Sequence, residues 1–124
     1  MQKILLISGA VLGAIGVGLG AFGAHALRPM LEASQRLDTY ETAVKYQFYH
    51  AFALLISGLL AYRIESRLLT YAGYSFIGGT LIFSGSLYIL CLSGIRWLGA
   101  ITPIGGVLMI VGWVLLAWAV ANSN

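Results

Sequence analysis

The sequence predicts an all-α polytopic membrane protein, a bundle of four transmembrane helices with a short interfacial segment between the first and the second. Three observations carry this reading. Of 124 residues, 60% are hydrophobic and 9% charged, and the mean hydropathy is +0.90, which leaves too little polar surface to coat a soluble globule. The apolar residues gather into four long runs, approximately residues 4–27, 39–62, 68–92 and 98–121, each close to the roughly 20 residues a helix needs to cross a bilayer. The connections between them are short and hold most of the charge, so residues 1–124 read as one integral membrane domain.

The first span carries Gly9, Gly13, Gly16, Gly20 and Gly23, spaced alternately four and three apart, with Ala10, Ala14, Ala21 and Ala24 alongside. That spacing puts the glycines on one helix-packing seam. Helices in lipid associate through close packing, which a glycine seam permits. The first span is therefore expected to be the central packing element, the alternative being a seam that makes room for a lipid tail or an ion path. Lys3 ahead of an apolar run ending in Ala24-His25-Ala26 imitates a cleavable leader. Its apolar core exceeds the 7 to 15 residues or so of such leaders, which favours an uncleaved span.

Leu27-Arg28-Pro29 is expected to close this helix, because the residue before proline avoids the helical region. Met30, Leu31 and Leu37 then alternate with Glu32, Gln35, Arg36 and Asp38, the pattern of an interfacial segment. Asp38 followed by Glu41 reads as a capping box that starts the second span. The connection Arg63-Ile64-Glu65-Ser66-Arg67 makes the second and third spans antiparallel neighbours. Gly78, Gly79, Thr80, Ser84, Gly85 and Ser86 give the third span small residues for tight contacts and interhelical hydrogen bonds. Arg96 and Trp97 mark an interface. In the fourth span Thr102 is expected as N-cap and Pro103 as the first helical residue, with Pro103 as an internal kink the alternative.

The second span holds the main anomaly. Residues 51–62 are uncharged and, but for Ser57, apolar, yet would cover only about 18 Å as a helix, against a hydrocarbon core of roughly 30 Å. The preceding run Tyr46-Gln47-Phe48-Tyr49-His50 must then enter the membrane, where Gln47 and His50 need protein partners or a wet cavity. Tyr40, Ala43, Gln47, His50, Ser57 and Ala61 share one face, flanked by Tyr46 and Tyr49. His50 could clamp two helices as a neutral hydrogen-bonding ring, bind a metal or haem iron, or switch charge. Matching depths in an antiparallel pair puts His25 near residues 40–44, with Glu41 in reach. His50 then lies roughly 10 Å deeper, which speaks against both histidines ligating one haem. Glu41 and Lys45 are expected to form an i,i+4 ion pair.

The chemistry-bearing sets are sparse. No HxxxH, HExxH or thiolate cluster points to a metal, and no cofactor is implied. Cys91 is the only cysteine and reads as a buried inert thiol. The scattered basic residues, net charge +3, exclude a nucleic-acid surface and suit lipid headgroups as partners. No catalytic constellation is visible. The absence of a carboxylate from the first span also argues against the small multidrug transporters that this chain matches in size.

The blocks Gly20-Ala21-Phe22-Gly23-Ala24-His25-Ala26-Leu27, Tyr40-Glu41-Thr42-Ala43-Val44-Lys45-Tyr46-Gln47-Phe48-Tyr49-His50-Ala51, and Thr102-Pro103-Ile104-Gly105-Gly106 with Gly112-Trp113 resemble the small bacterial membrane proteins of domain of unknown function family 423. The resemblance covers essentially the whole chain and implies four transmembrane helices in the cytoplasmic (inner) membrane, with no activity to transfer. The sequence thus favours a non-enzymatic integral membrane protein, homo-oligomeric, whose polar cluster of His25, Tyr40, Glu41, Tyr46, Gln47, Tyr49 and His50 fixes helix packing or takes a small ligand or lipid. The alternatives are an oligomeric small-solute or ion transporter or channel lined by Gln47 and His50, and a redox protein using His50 and His25 from different subunits. Basic residues divide almost evenly between the two sides, and Lys3 inclines the reading toward cytoplasmic termini.

Overall fold

A computed structural model describes residues 1–123. Helices α1 (Gln2–Ala24), α3 (Leu37–Leu60), α4 (Arg67–Ser93) and α5 (Thr102–Ala121) form the bundle, with a short helix α2 (Arg28–Ala33) between α1 and α3 and a 3-10 turn (Arg96–Ala100) before α5. The described residues contain no strand. α1, α4 and the segment containing α5 are each long and apolar enough to cross a membrane. α3 has the length, but its polar residues keep it below the same apolarity.

The boundaries differ from expectation where local chemistry competes. α1 stops at Ala24 rather than at Leu27, the Leu27 amide turning back to the Phe22 carbonyl. Arg28 and Pro29 do not close α1; they open α2, proline being tolerated in a first turn where no amide partner is needed. The expected capping box does not form. α3 begins at Leu37, so Asp38 lies inside its first turn with no cap hydrogen bond, and its charge faces the positive helix end. Thr102 is the first residue of α5 rather than its cap, and Pro103 follows it without a kink. Neither cap of α4 was identified from the sequence: Ser66 caps its start by accepting from the Leu68 amide at 3.1 Å, and Gly94 ends it at φ 76°, a left-handed position that glycine occupies without Cβ strain.

α3 and α4 are the two inner helices, α3 lying against α1 and α4, and α4 against α3 and α5, whereas α1 packs chiefly on α3. This corrects the expectation that the glycine-rich first helix sits at the centre. The closest backbone approach is between α4 and α5: a Cβ on Gly79 would stand 2.9 Å from the Gly105 carbonyl oxygen, and one on Gly105 would strike the backbone at Phe83. On α1, Gly9 approaches the Ala51 carbonyl, Gly16 the Phe48 ring, Gly20 the Val44 side chain and Gly23 the Tyr40 ring. Gly13 meets no other residue and is not part of the seam.

The main core joins all four long helices at one end, through Leu5, Ala53, Leu54, Leu69, Ala72, Phe76, Leu116 and Ala119. At the other end α2 acts as a plug. Its Leu31, fully buried, packs with Tyr40 and Cys91, so the interfacial segment is anchored by one apolar side chain while Met30 stays exposed.

Candidate functional site

The polar face of α3 is turned into the bundle, where each side chain reaches a different helix. Gln47 is buried and uses both ends of its amide: Nε2 donates to the Leu12 carbonyl of α1 at 2.8 Å, and Oε1 accepts from the Tyr88 hydroxyl of α4 at 2.6 Å. Seven residues earlier, the buried Tyr40 hydroxyl donates to the Leu19 carbonyl of α1 at 2.5 Å, and its ring meets that of Tyr88 edge-on at 5.4 Å. Leu12 and Leu19 are also seven apart, so the two bonds repeat after two turns on both helices.

Their carbonyls are open for a reason readable in α1. A helical side chain covers the turn N-terminal to its own Cα. Above Leu12 and Leu19 stand Gly16 and Gly23, which have no side chain to cover them. The glycines admit both the neighbouring ring and its polar reach.

His50 is buried at the level of α5. Trp113 Nε1–H can only donate, and it lies 3.0 Å from His50 Nε2. The ring therefore accepts there and carries its proton on Nδ1, which donates to the Tyr46 carbonyl at 2.7 Å. Both nitrogens of this neutral tautomer are occupied, leaving no lone pair for iron or zinc. Among the described residues no three His, Cys, Asp or Glu side chains converge as metal ligands. Phe76 packs against both rings, its centroid 5.7 Å from His50 and 5.1 Å from Trp113.

Of the remaining candidates Tyr46 stays against this core, its ring stacked on that of His50 with centroids 6.3 Å apart, and the others separate from it. His25, expected beside Glu41, lies exposed on another face of α1 with Gly18, Ala21, Phe22 and Ala26, because α1 ends before it. Glu41 and Lys45 do not pair; the ion pair among the described residues is Arg28–Glu32, at 2.6 Å. Tyr46 and Tyr49 point largely outward, 39% and 54% exposed. Tyr46 still covers Phe83 at 4.8 Å.

The comparisons with known proteins point to a family of membrane proteins. The family described as protein of unknown function DUF423 matches residues 19–106. This chain belongs to that family. It is 46% identical over 115 residues to a UPF0382 membrane protein of Staphylococcus aureus, covering 93% of each chain. It is 42% identical over 119 residues to the UPF0382 membrane protein YwdK of Bacillus subtilis, covering 95% of this chain and 96% of the relative. No solved structure matches. The protein is thus a membrane protein of the DUF423 family with an all-α bundle.

Sequence reasoning missed several of this DUF423 protein's polar partners. Tyr88 carries no signal of its own in the sequence and Trp113 stands only in a family block, although Tyr and Trp whose polar tips lie away from water regularly seek a hydrogen bond. Ser84 donates to the Ala43 carbonyl at 2.7 Å, joining α4 to α3. Ser86 and Thr102 share a 2.6 Å bond, joining α4 to α5. Beside the buried network a groove of about 200 Å³ runs between α1 and α3, floored by Gly20, Gly23, Ala24, Tyr40 and Val44 and edged by Arg28, Glu41 and Lys45.

Proposed function

We propose that this is a non-enzymatic integral membrane protein of the cytoplasmic membrane, crossing four times with both termini cytoplasmic, in which the α3 polar cluster fixes the packing of the bundle. The observation that carries the reading is engagement across helices: both ends of Gln47 and both ring nitrogens of His50 are bonded to other protein groups. A polar side chain lining a passage would turn its groups toward the cargo; His50 has both ring nitrogens committed to protein groups, and Gln47 has its amide tied at both ends to neighbouring helices, with one N–H and one lone pair beyond those bonds. α3 as the fourth span is supported by its outward Phe52, Ile56 and Leu59, which suit lipid, while its polar side chains are covered by α1, α4 and α5.

The test compares stability with transport in the same variants. His50→Ala and Gln47→Leu are expected to lower thermal stability in detergent, while proteoliposomes of the unaltered chain show no solute flux that changes between pH 5 and 8 or that the variants abolish. Flux lost in either variant would establish the transporter reading instead.

A further inference from the structure

We infer that the groove between the end of α1 and the start of α3 seats one phospholipid, with the phosphate held by Lys45 and Arg28 and a headgroup hydrogen-bond donor held by Glu41. This goes beyond the packing role of Gln47 and His50 and stands on different residues. Its floor is apolar and narrow because Gly20, Gly23 and Ala24 present almost no side chain opposite Val44 and the Tyr40 ring. An acyl chain fits such a floor, and a soluble anion would gain nothing from it.

Charge placement selects the other end of the ligand. Lys45 lies eight residues into α3, roughly 12 Å along its axis from Leu37, at a depth where a cation needs a partner. Glu41 stands one turn earlier in the order that favours pairing, yet the two do not bond, and both edge the groove. Arg28 engages Glu32 through Nε alone, so its outer guanidinium donors remain for a phosphate oxygen. Two cations and one unpaired carboxylate around an apolar floor complement an amphiphile bearing a phosphate and, beside it, an N–H or O–H donor. Ethanolamine and glycerol headgroups have that donor; a choline headgroup does not.

The experiment is native mass spectrometry of the full chain in mild detergent, titrated separately with phosphatidylethanolamine, phosphatidylglycerol and phosphatidylcholine. One molecule of either of the first two should be retained more strongly than phosphatidylcholine. Lys45→Gln should weaken retention on the order of tenfold, the loss of one charge-assisted hydrogen bond, while Lys45→Arg preserves it. Glu41→Gln should erase the preference over phosphatidylcholine without abolishing binding. All three side chains are exposed, so these variants leave the buried packing intact, and circular dichroism checks that they fold. Equal retention of the three lipids, indifference to Lys45→Gln together with Arg28→Gln, or a second copy of the chain in place of lipid would overturn the inference. A negative lipid result beside a destabilised Gln47→Leu would overturn it alone and leave the packing reading standing.

Discussion

Replacing Gln47 by Leu removes two interhelical hydrogen bonds, of 2.8 and 2.6 Å, while keeping the side-chain volume close to constant. Interhelical bonds inside a bilayer contribute about 0.6 kcal/mol on average and about 1.7 at most. The Leu12 carbonyl stays bonded within α1, so it is not orphaned. The hydroxyl of the half-buried Tyr88 is, and a hydroxyl left unpaired away from water costs about 1–3 kcal/mol. The expected loss is about 2–3 kcal/mol, of which adding Tyr88→Phe should restore about 1, since the orphan disappears with its oxygen. Reversible unfolding in mixed detergent and sodium dodecyl sulfate, followed by circular dichroism, measures all four corners of the cycle. Additivity within about 0.3 kcal/mol, or a Gln47→Leu variant as stable as the parent, would refute the claim that Gln47 ties α1 and α4 to α3.

Trp113→Phe and His50→Phe should each weaken the α3–α5 contact by about 1 kcal/mol, and the double variant should cost less than their sum, read from the same unfolding assay. Gly105→Ala should be severe, at least about 2 kcal/mol, because its Cβ would strike the α4 backbone at Phe83, where nothing flexible can yield. Gly13→Ala should be neutral or stabilising by up to about 1 kcal/mol, since Gly13 meets no other residue and alanine is the better helix former.

The all-α membrane bundle and the positions of its long helices were legible because apolar run length follows from bilayer thickness. The burial of Gln47 and His50 was legible for the same reason: water is absent, so polar groups turn inward. What was not legible was partner identity. Gln47 bonds a main-chain carbonyl, and main-chain carbonyls look alike in sequence; only the glycines at 16 and 23 distinguish the ones at 12 and 19. The expected Glu41–Lys45 pair failed because an exposed i,i+4 pairing contributes only about 0.3–0.5 kcal/mol and does not determine a geometry. His25 was misplaced by assuming that α1 continues to Leu27. Its actual end at Ala24 turns the chain early, and the imidazole leaves the α1–α3 interface.

The same interhelical bonds make insertion of α3 depend on its neighbours. Taken alone, α3 presents Lys45, Gln47, His50 and Ser57 to lipid and is less apolar than the other long helices. With α1 in place, the Gln47 and Tyr40 donors find the Leu12 and Leu19 carbonyls, and with α4 and α5 the Gln47 oxygen and His50 Nε2 are also covered. Residues 37–60 expressed as an isolated test segment with a glycosylation reporter should therefore cross inefficiently. Adding α1 ahead of the segment should raise the crossed fraction, and Gly16→Leu with Gly23→Leu in that α1 should remove the gain by covering the two carbonyls. α4, which beyond Arg67 carries hydroxyls but no charge, amide or imidazole, should cross without help. Equal crossing of α3 with and without α1 would mean that its polar face needs no partner at the moment of insertion, and that the hydrogen bonds seen in the bundle form only after all four helices are in place.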